Sequence, residues 1–257
     1  MFKGIKLYVW GDFACFTRPE MKVERVSYDV LTPSAARGIL EAIYWKPQFE
    51  WRIDKIHLLR PIRFTSIRRN EVADKVSSSN VKKVMNGTPA KLGIEIESSR
   101  QQRASLLLRD VAYGIEASIK IRDYRFERGE KPLSENECVG KHLNQFERRA
   151  RKGAHFHQPY FGTREFPVAY QWIDQDQGFP PPIETIPDSD LNKELGYILC
   201  DFRYEKSNQT KGTFIESNKG ERIKAIPRFM KAQLRNGILD IDRCLKDSPL
   251  NSESNQI

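Results

Sequence analysis

Cysteine is scarce in this sequence. The four that occur, Cys15, Cys138, Cys200 and Cys244, lie far apart with no Cys-x-x-Cys pair. That spacing argues against a disulfide framework and a zinc site, and it fits a reducing cytoplasm. Long apolar runs are missing too: none approaches the ~20 residues that cross a bilayer. The opening MFKGIKLYVWGDF lacks the small-residue cleavage site of a signal peptide. Histidine is limited to His57, His142, His155 and His157, and there is no HExxH. His155 and His157 would share a face on a strand, yet no third metal ligand stands out. No G-x-G-x-x-G, Walker loop or G-x-S-x-G elbow is found. The expectation is therefore a chain with no cofactor, no metal site and no membrane partner.

What the sequence does contain is positive charge. Its 257 residues carry 43 Lys and Arg against 34 Asp and Glu, a net +9, with 39% hydrophobic and 11% aromatic residues. Such a chain can bury a core unaided. The charge is uneven: residues 1–172 carry +11 and residues 173–257 carry −2. The basic part is where a polyanion would bind, and nucleic acid suits it better than a membrane because no basic helix has a broad apolar face. Two parts are expected, a domain over 1–172 and a smaller β-rich region over 173–257 ending in a polar tail from 247.

Hydrophobic spacing gives the order of elements. Ile5, Leu7 and Val9 alternate against Lys6, Tyr8 and Trp10, a half-buried strand. Thr32-Pro33 starts a helix over roughly 33–45, with Ala36, Ile39, Leu40 and Ile43 on its apolar face and Pro47 beyond it. Residues 52–68 predict a strand or hairpin bent at Pro61. Residues 70–103 are polar and form an excursion from the core. Residues 104–122 predict a strand or two. Ser134-x-x-Glu137 is a capping box for a second helix that Gly153 closes. Strands are expected over 155–161, 166–173, 196–204 and 212–216, and a short helix near 227–235. The order through residue 161 is strand, helix, strand, excursion, strand, helix, strand. That is an α+β, ferredoxin-like βαββαβ unit, the arrangement in which an RRM carries RNA on its sheet.

Two places could carry chemistry. His142 follows Gly140-Lys141 and precedes Arg148, Arg149, Arg151 and Lys152. An imidazole titrates near pKa ~6.5 and can exchange a proton at neutral pH. Neighbouring cations lower that value, and a bound phosphate raises it again. RNA is cut without a metal when a base takes the 2′-OH proton, a cation stabilises the phosphorane and an acid protonates the 5′-oxygen. Tyr44, in AIYWKP, can orient or polarise a hydroxyl, whereas Trp45 is expected to pack.

The stretches GDFACFTRPEMKVERVSYDVLTPSAARGILEAIYWKP (11–47), LLLRDVAYGIEASIKI (106–121), GKHLNQFERRARKG (140–153) and FGTREFPVAY (161–170) together resemble the type I-C CRISPR-associated RAMP proteins, the d subgroup of the Cas-five family. The resemblance runs from residue 4 to about 175 and more loosely to about 235. It implies a ferredoxin-like RAMP fold and a metal-independent endoribonuclease. That enzyme would cut CRISPR repeat RNA at the 3′ base of its hairpin by 2′-OH attack, leaving a 2′,3′-cyclic phosphate. It would then stay on the crRNA 5′ handle among the other subunits of the type I-C surveillance complex. The catalytic residues carried over are Tyr44, Lys141 and His142. Gly162 falls on the glycine-rich RAMP loop, and 70–103 would be a thumb-like hairpin. Arg148, Arg149, Arg151 and Lys152 are expected to hold RNA, with Arg60, Arg63 and Arg164. If the two helices ran parallel, Tyr44 would meet His142 only because helix two begins well before Gly140, as the Ser134 box implies. A non-catalytic handle-binding subunit is the alternative. A metal-dependent nuclease is disfavoured by the lack of a clustered Asp/Glu pair in the basic part.

Overall fold

A computed structural model describes residues 4–21, 23–122, 134–206, 214–216 and 222–247. The polar tail expected from 247 falls almost wholly outside them. The first part runs β1 (Gly4–Ala14), α1 (Pro33–Ile43), β2 (Phe49–Leu58), β3 (Phe64–Val72), α2 (Ser78–Met85), α3 (Ile96–Ser99), β4 (Arg100–Ile121), α4 (Glu135–Arg151) and β5 (Ala169–Ile173). The rest comprises α5 (Asp188–Leu191), β6 (Glu194–Lys206), β7 (Phe214–Glu216), β8 (Arg222–Gln233), β9 (Ile238–Asp240) and α6 (Ile241–Lys246).

The main sheet has the order β5-β1-β4-β2-β9, antiparallel at every step, and a second sheet has the order β6-β8-β7. Without β9, the main order is fourth, first, third, second strand of a split βαββαβ unit, so the ferredoxin-like expectation holds. The excursion is real and sits between the second and third strands. Here β3 pairs with the first half of β4, Phe64 opposite Leu108 through Val72 opposite Arg100, while the second half of β4 pairs with β1 and β2. The result is an arm of half-buried and exposed residues topped by α2 and α3, neither of which has a buried residue.

The alternation read in β1 is observed. Ile5, Leu7 and Val9 are fully buried against the helices, and Lys6, Tyr8 and Trp10 face the other way, with Tyr8 stacked on Trp10. That outer face differs from the open face of an RRM. Gly114 of β4 lies opposite both Tyr8 and His57, and a Cβ there would sit 2.7 Å from the ring of Phe179. Lys6 donates to the carbonyls of Gln175 (3.0 Å) and Gln177 (2.9 Å). The segment after β5 therefore crosses the sheet face where an RRM would lay its RNA.

Three local expectations are corrected. Residues 155–161 form a loop, and the fourth strand of the unit is Ala169–Ile173. The segment 227–235, read as helical, lies largely in β8, paired with β6 from Gln233 opposite Glu194 to Ile223 opposite Lys206. Its apolar residues are spaced ambiguously, and the β6 edge decides the outcome. The helices do not run side by side. His142 and Arg149, two turns apart on α4, both meet the end of α1, and α4 continues from Phe49 and Trp51 of β2 to Trp172 of β5. A helix that crosses the end of α1 makes those contacts.

Candidate active site

Helix α1 begins as its sequence implies: Thr32 Oγ1 accepts from the Ala35 amide at 3.3 Å, with Pro33 in the first turn. Its end is decided by tertiary structure. No glycine cap is present; Tyr44 turns extended at φ −156°, ψ 126°. The last carbonyls find distant partners instead. Ala42 O accepts from the Phe156 amide (2.7 Å), Ile43 O from the Arg149 guanidinium (2.9 Å) and Tyr44 O from Trp51 Nε1 (2.9 Å). Each would otherwise be an orphan acceptor, and together they fix the Tyr44 backbone.

Helix α4 starts at the Ser134 box. Ser134 Oγ accepts from the Glu137 amide and Glu137 Oε2 from the Ser134 amide at 2.8 Å. His142 lies two turns further on, on the buried face with Cys138, Phe146 and Ala150. Its Nδ1 is 2.9 Å from Tyr44 Oη. The pair is enclosed, Tyr44 6% and His142 3% exposed, with Phe49 packed on both rings. The Arg149 guanidinium lies 5.9 Å from the centre of the Tyr44 ring, and Lys141 is exposed on the adjoining helix position.

Burial, then the charges of Lys141 and Lys46, hold the His142 imidazole below its ordinary value of 6.5, so its neutral form is favoured. Burial pushes the Tyr44 phenol up, with Arg149 opposing it, so Tyr44 keeps its proton. The hydrogen bond can run either way. If Nδ1–H donates to Tyr44 Oη, the Nε2 lone pair is free to act as a base. Lys46 was not singled out in the sequence; its place two residues past Tyr44 was the available signal. Trp45 was expected to pack, yet it is 50% exposed.

The structure thus brings Tyr44, His142, Lys141 and Arg149 together and leaves other predicted residues elsewhere. Arg148 is exposed and bonded to Gln145, and Lys152 is exposed at the helix end. Arg151 is held by Glu147 (2.9 Å) and Asp174 and lies over Trp172. Arg60 and Arg63 follow the far end of β2, about 30 Å from Phe49 at 3.3 Å per strand residue, and Arg63 is paired with Glu184 at 2.6 Å. Gly162 and exposed Arg164 lie near the end of β1, with Cys15 N donating to Phe161 O. That is the same end of the sheet as Arg60, because β1 and β2 are both antiparallel to β4. The glycine itself has a steric cause: its φ is +82°, and a Cβ would stand 2.0 Å from the Cys15 carbonyl oxygen.

Comparison with known proteins bears on this arrangement. The family model described as CRISPR-associated protein (Cas_Cas5) matches residues 4–241. A protein of Mannheimia succiniciproducens named CRISPR pre-crRNA endoribonuclease Cas5d is 46% identical over 242 residues, 94% of this chain and 96% of the relative. A protein of the same name from Thermus thermophilus is 43% identical over 239 residues, 92% and 90% of the two chains. Among solved structures, a CRISPR-associated protein aligns with a TM-score of 0.57 at 20% identity, covering 96% of this chain and 94% of the other, a likeness of fold. With the family match running through both helices that carry the Tyr44–His142 pair, the chain belongs to the Cas5d family of CRISPR-associated proteins.

Proposed function

We propose that this chain is an endoribonuclease that cuts CRISPR repeat RNA at the 3′ base of its hairpin without a metal, and that it then stays on the 5′ handle as a subunit of a type I-C surveillance complex in the cytoplasm. The observation that carries this reading is the 2.9 Å contact between Tyr44 Oη and His142 Nδ1, made by residues 98 positions apart beside Lys141. The names of the two relatives, at 46% and 43% identity, support the same activity.

In this mechanism neutral His142, oriented by Nδ1–H donating to Tyr44 Oη, takes the 2′-OH proton on Nε2. The 2′-oxygen attacks phosphorus and the P–O5′ bond breaks, giving a 2′,3′-cyclic phosphate and a 5′-hydroxyl. The Lys141 ammonium stabilises the charge that builds on the phosphorane oxygens. Tyr44 O–H protonates the leaving oxygen. An alkoxide is far more basic than a phenolate, so a phenol raised by burial still delivers its proton. The test is cleavage of repeat RNA with EDTA present, beside a substrate carrying 2′-deoxy at the nucleotide before the scissile phosphate. The first should be cut at the normal rate, and the second should bind and remain intact. Cutting of the deoxy substrate overturns the mechanism.

One observation favours a second reading, a handle-binding subunit without catalysis: Tyr44 and His142 are both nearly enclosed, as a structural polar pair would be. His142→Ala and Tyr44→Phe separate the two. Catalysis predicts a loss of ~10²-fold or more for His142→Ala. Wild-type cleavage rates in both variants would take the catalytic role away from this pair, and a wild-type protein that binds repeat RNA without cutting it would leave the binding reading in place.

A further inference from the structure

Phe156 is 83% exposed, and its backbone is tied to the candidate active site. A single exposed apolar side chain is ordinary on a protein surface, so the case rests on how this one is held and what surrounds it. Gly153, at φ +65°, closes α4, and the Ala154 amide returns to Arg149 O at 2.9 Å. That turn brings the following residues directly to the end of α1, where the Phe156 amide donates to Ala42 O, two residues before Tyr44. Gln158 Nε2 then bonds Val168 O at 3.0 Å, fixing the other side of the segment. The backbone is pinned from both directions while the ring projects.

The residues beside Phe156 do the opposite. His155 Nδ1 meets Tyr170 Oη at 3.3 Å, and the His157 ring stacks on Tyr160. Both imidazoles are committed to tyrosines, and the Phe156 ring meets His157 edge-on. Beyond Tyr44 in the chain, Trp45 is 50% exposed; Tyr44 before it is held by its amide to Leu40 O and by its carbonyl to Trp51 Nε1, and Lys46 O after it accepts from the Phe49 amide at 3.3 Å. Two exposed aromatic residues thus stand on backbone tied to the end of α1, next to Tyr44. Cations lie next to both: Arg148 and Lys152 lead into the Phe156 segment, and Lys46 follows Trp45. Fixed aromatic faces interleaved with cations bind single-stranded nucleic acid, because every base has a π-face and every linkage a charge. A rigid platform also loses little freedom on binding.

We propose that Phe156 is a stacking platform for one unpaired nucleobase next to the scissile phosphate of the repeat RNA, with Trp45 receiving a base on the other side of the cleavage point. The proposal rests on the endoribonuclease reading above and adds to it how the strand is aligned. The outer face of the sheet, which an RRM would use, is crossed by the Phe179 segment, so the stacking rings are displaced to the helix side.

The test pairs Phe156 variants with repeat RNAs carrying an abasic nucleotide at each position flanking the scissile phosphate, read as Kd and as single-turnover rate. Phe156→Ala should weaken binding of unmodified RNA roughly tenfold. Phe156→Tyr should restore it and Phe156→Leu should not, since a planar ring is needed and apolar bulk alone is insufficient. One abasic position should weaken wild-type binding to the same degree and be unaffected by adding Phe156→Ala. Losses that add at every abasic position, or a Phe156→Ala Kd equal to wild type while the wild-type protein cleaves, overturn the stacking proposal alone. A wild-type protein that neither binds nor cuts repeat RNA overturns this proposal together with the endoribonuclease reading.

Discussion

His142 shows how one side chain takes two opposing instructions from its surroundings. Burial and the cations Lys141 and Lys46 favour the neutral ring, while a bound phosphate would favour the charged one. The pH dependence of cleavage should record both. As the base, neutral His142 gives kcat/KM an acid limb that rises with pH, and because the free-enzyme value is depressed, its midpoint should lie below 6.5. Lys46→Ala removes one repelling charge and should move that midpoint upward. The limb of the single-turnover rate at saturating protein, which reports the complex with RNA, should lie at higher pH than the kcat/KM limb. A kcat/KM midpoint above 6.5 that Lys46→Ala leaves in place would take the role of base away from His142. Denaturation should show the same pair from the stability side: His142→Ala leaves a buried phenol without its partner, a cost of about 1–3 kcal/mol.

Helix ends and turns place that residue, and each can be tested where it acts. The Ser134 box caps the helix two turns before His142. Ser134→Ala should cost about 1 kcal/mol and lower Tm slightly, with a smaller effect on cleavage than any change at His142. Two glycines predict opposite signs. Gly162→Ala forces a side chain into a left-handed turn and against the Cys15 carbonyl, and should destabilise by about 2–4 kcal/mol. Gly140 lies inside α4 with nothing within 4 Å of a Cβ, so Gly140→Ala should stabilise by about 0.5–1 kcal/mol. Thermal melts of the two variants check both. A neutral Gly162→Ala would mean that the turn relaxes and that the glycine serves another purpose.

Across the whole molecule, two groups of basic residues lie at opposite ends of the main sheet. Lys46, Lys141 and Arg149 surround the Tyr44–His142 pair, while Arg60, Arg63 and Arg164 lie near the other end. RNA held by the far group would remain held after the strand is cut, so product should leave slowly. With RNA in large excess at near-physiological salt, product should plateau near one equivalent of protein. Replacing Arg60 and Arg63 together by Ala should weaken binding and leave the single-turnover rate unchanged. It should also flatten the salt dependence of binding, by about one unit of slope for each phosphate that is no longer neutralised. Sustained multiple turnover by the wild-type protein would mark it as a free processing enzyme.

The sequence by itself determined most of the elements and named the candidate site residues. The β1 alternation, the Thr32-Pro33 start and the Ser134 box are local signals, set by one residue's backbone preference or by neighbours three or four positions away, and they survive folding unchanged. The family stretches likewise pointed to Tyr44, Lys141 and His142. Where the chain's own periodicity was weak, tertiary contacts decided: 227–235 became strand by pairing with β6, and 155–161 became a loop whose Phe156 amide caps α1. The crossing of α4 over the end of α1, and with it the Tyr44–His142 contact, could not be read from spacing. It depends on Phe146 of α4 packing on both Trp51, which meets Phe49, and Trp172, and such packing joins residues from β2 to β5, far apart along the chain.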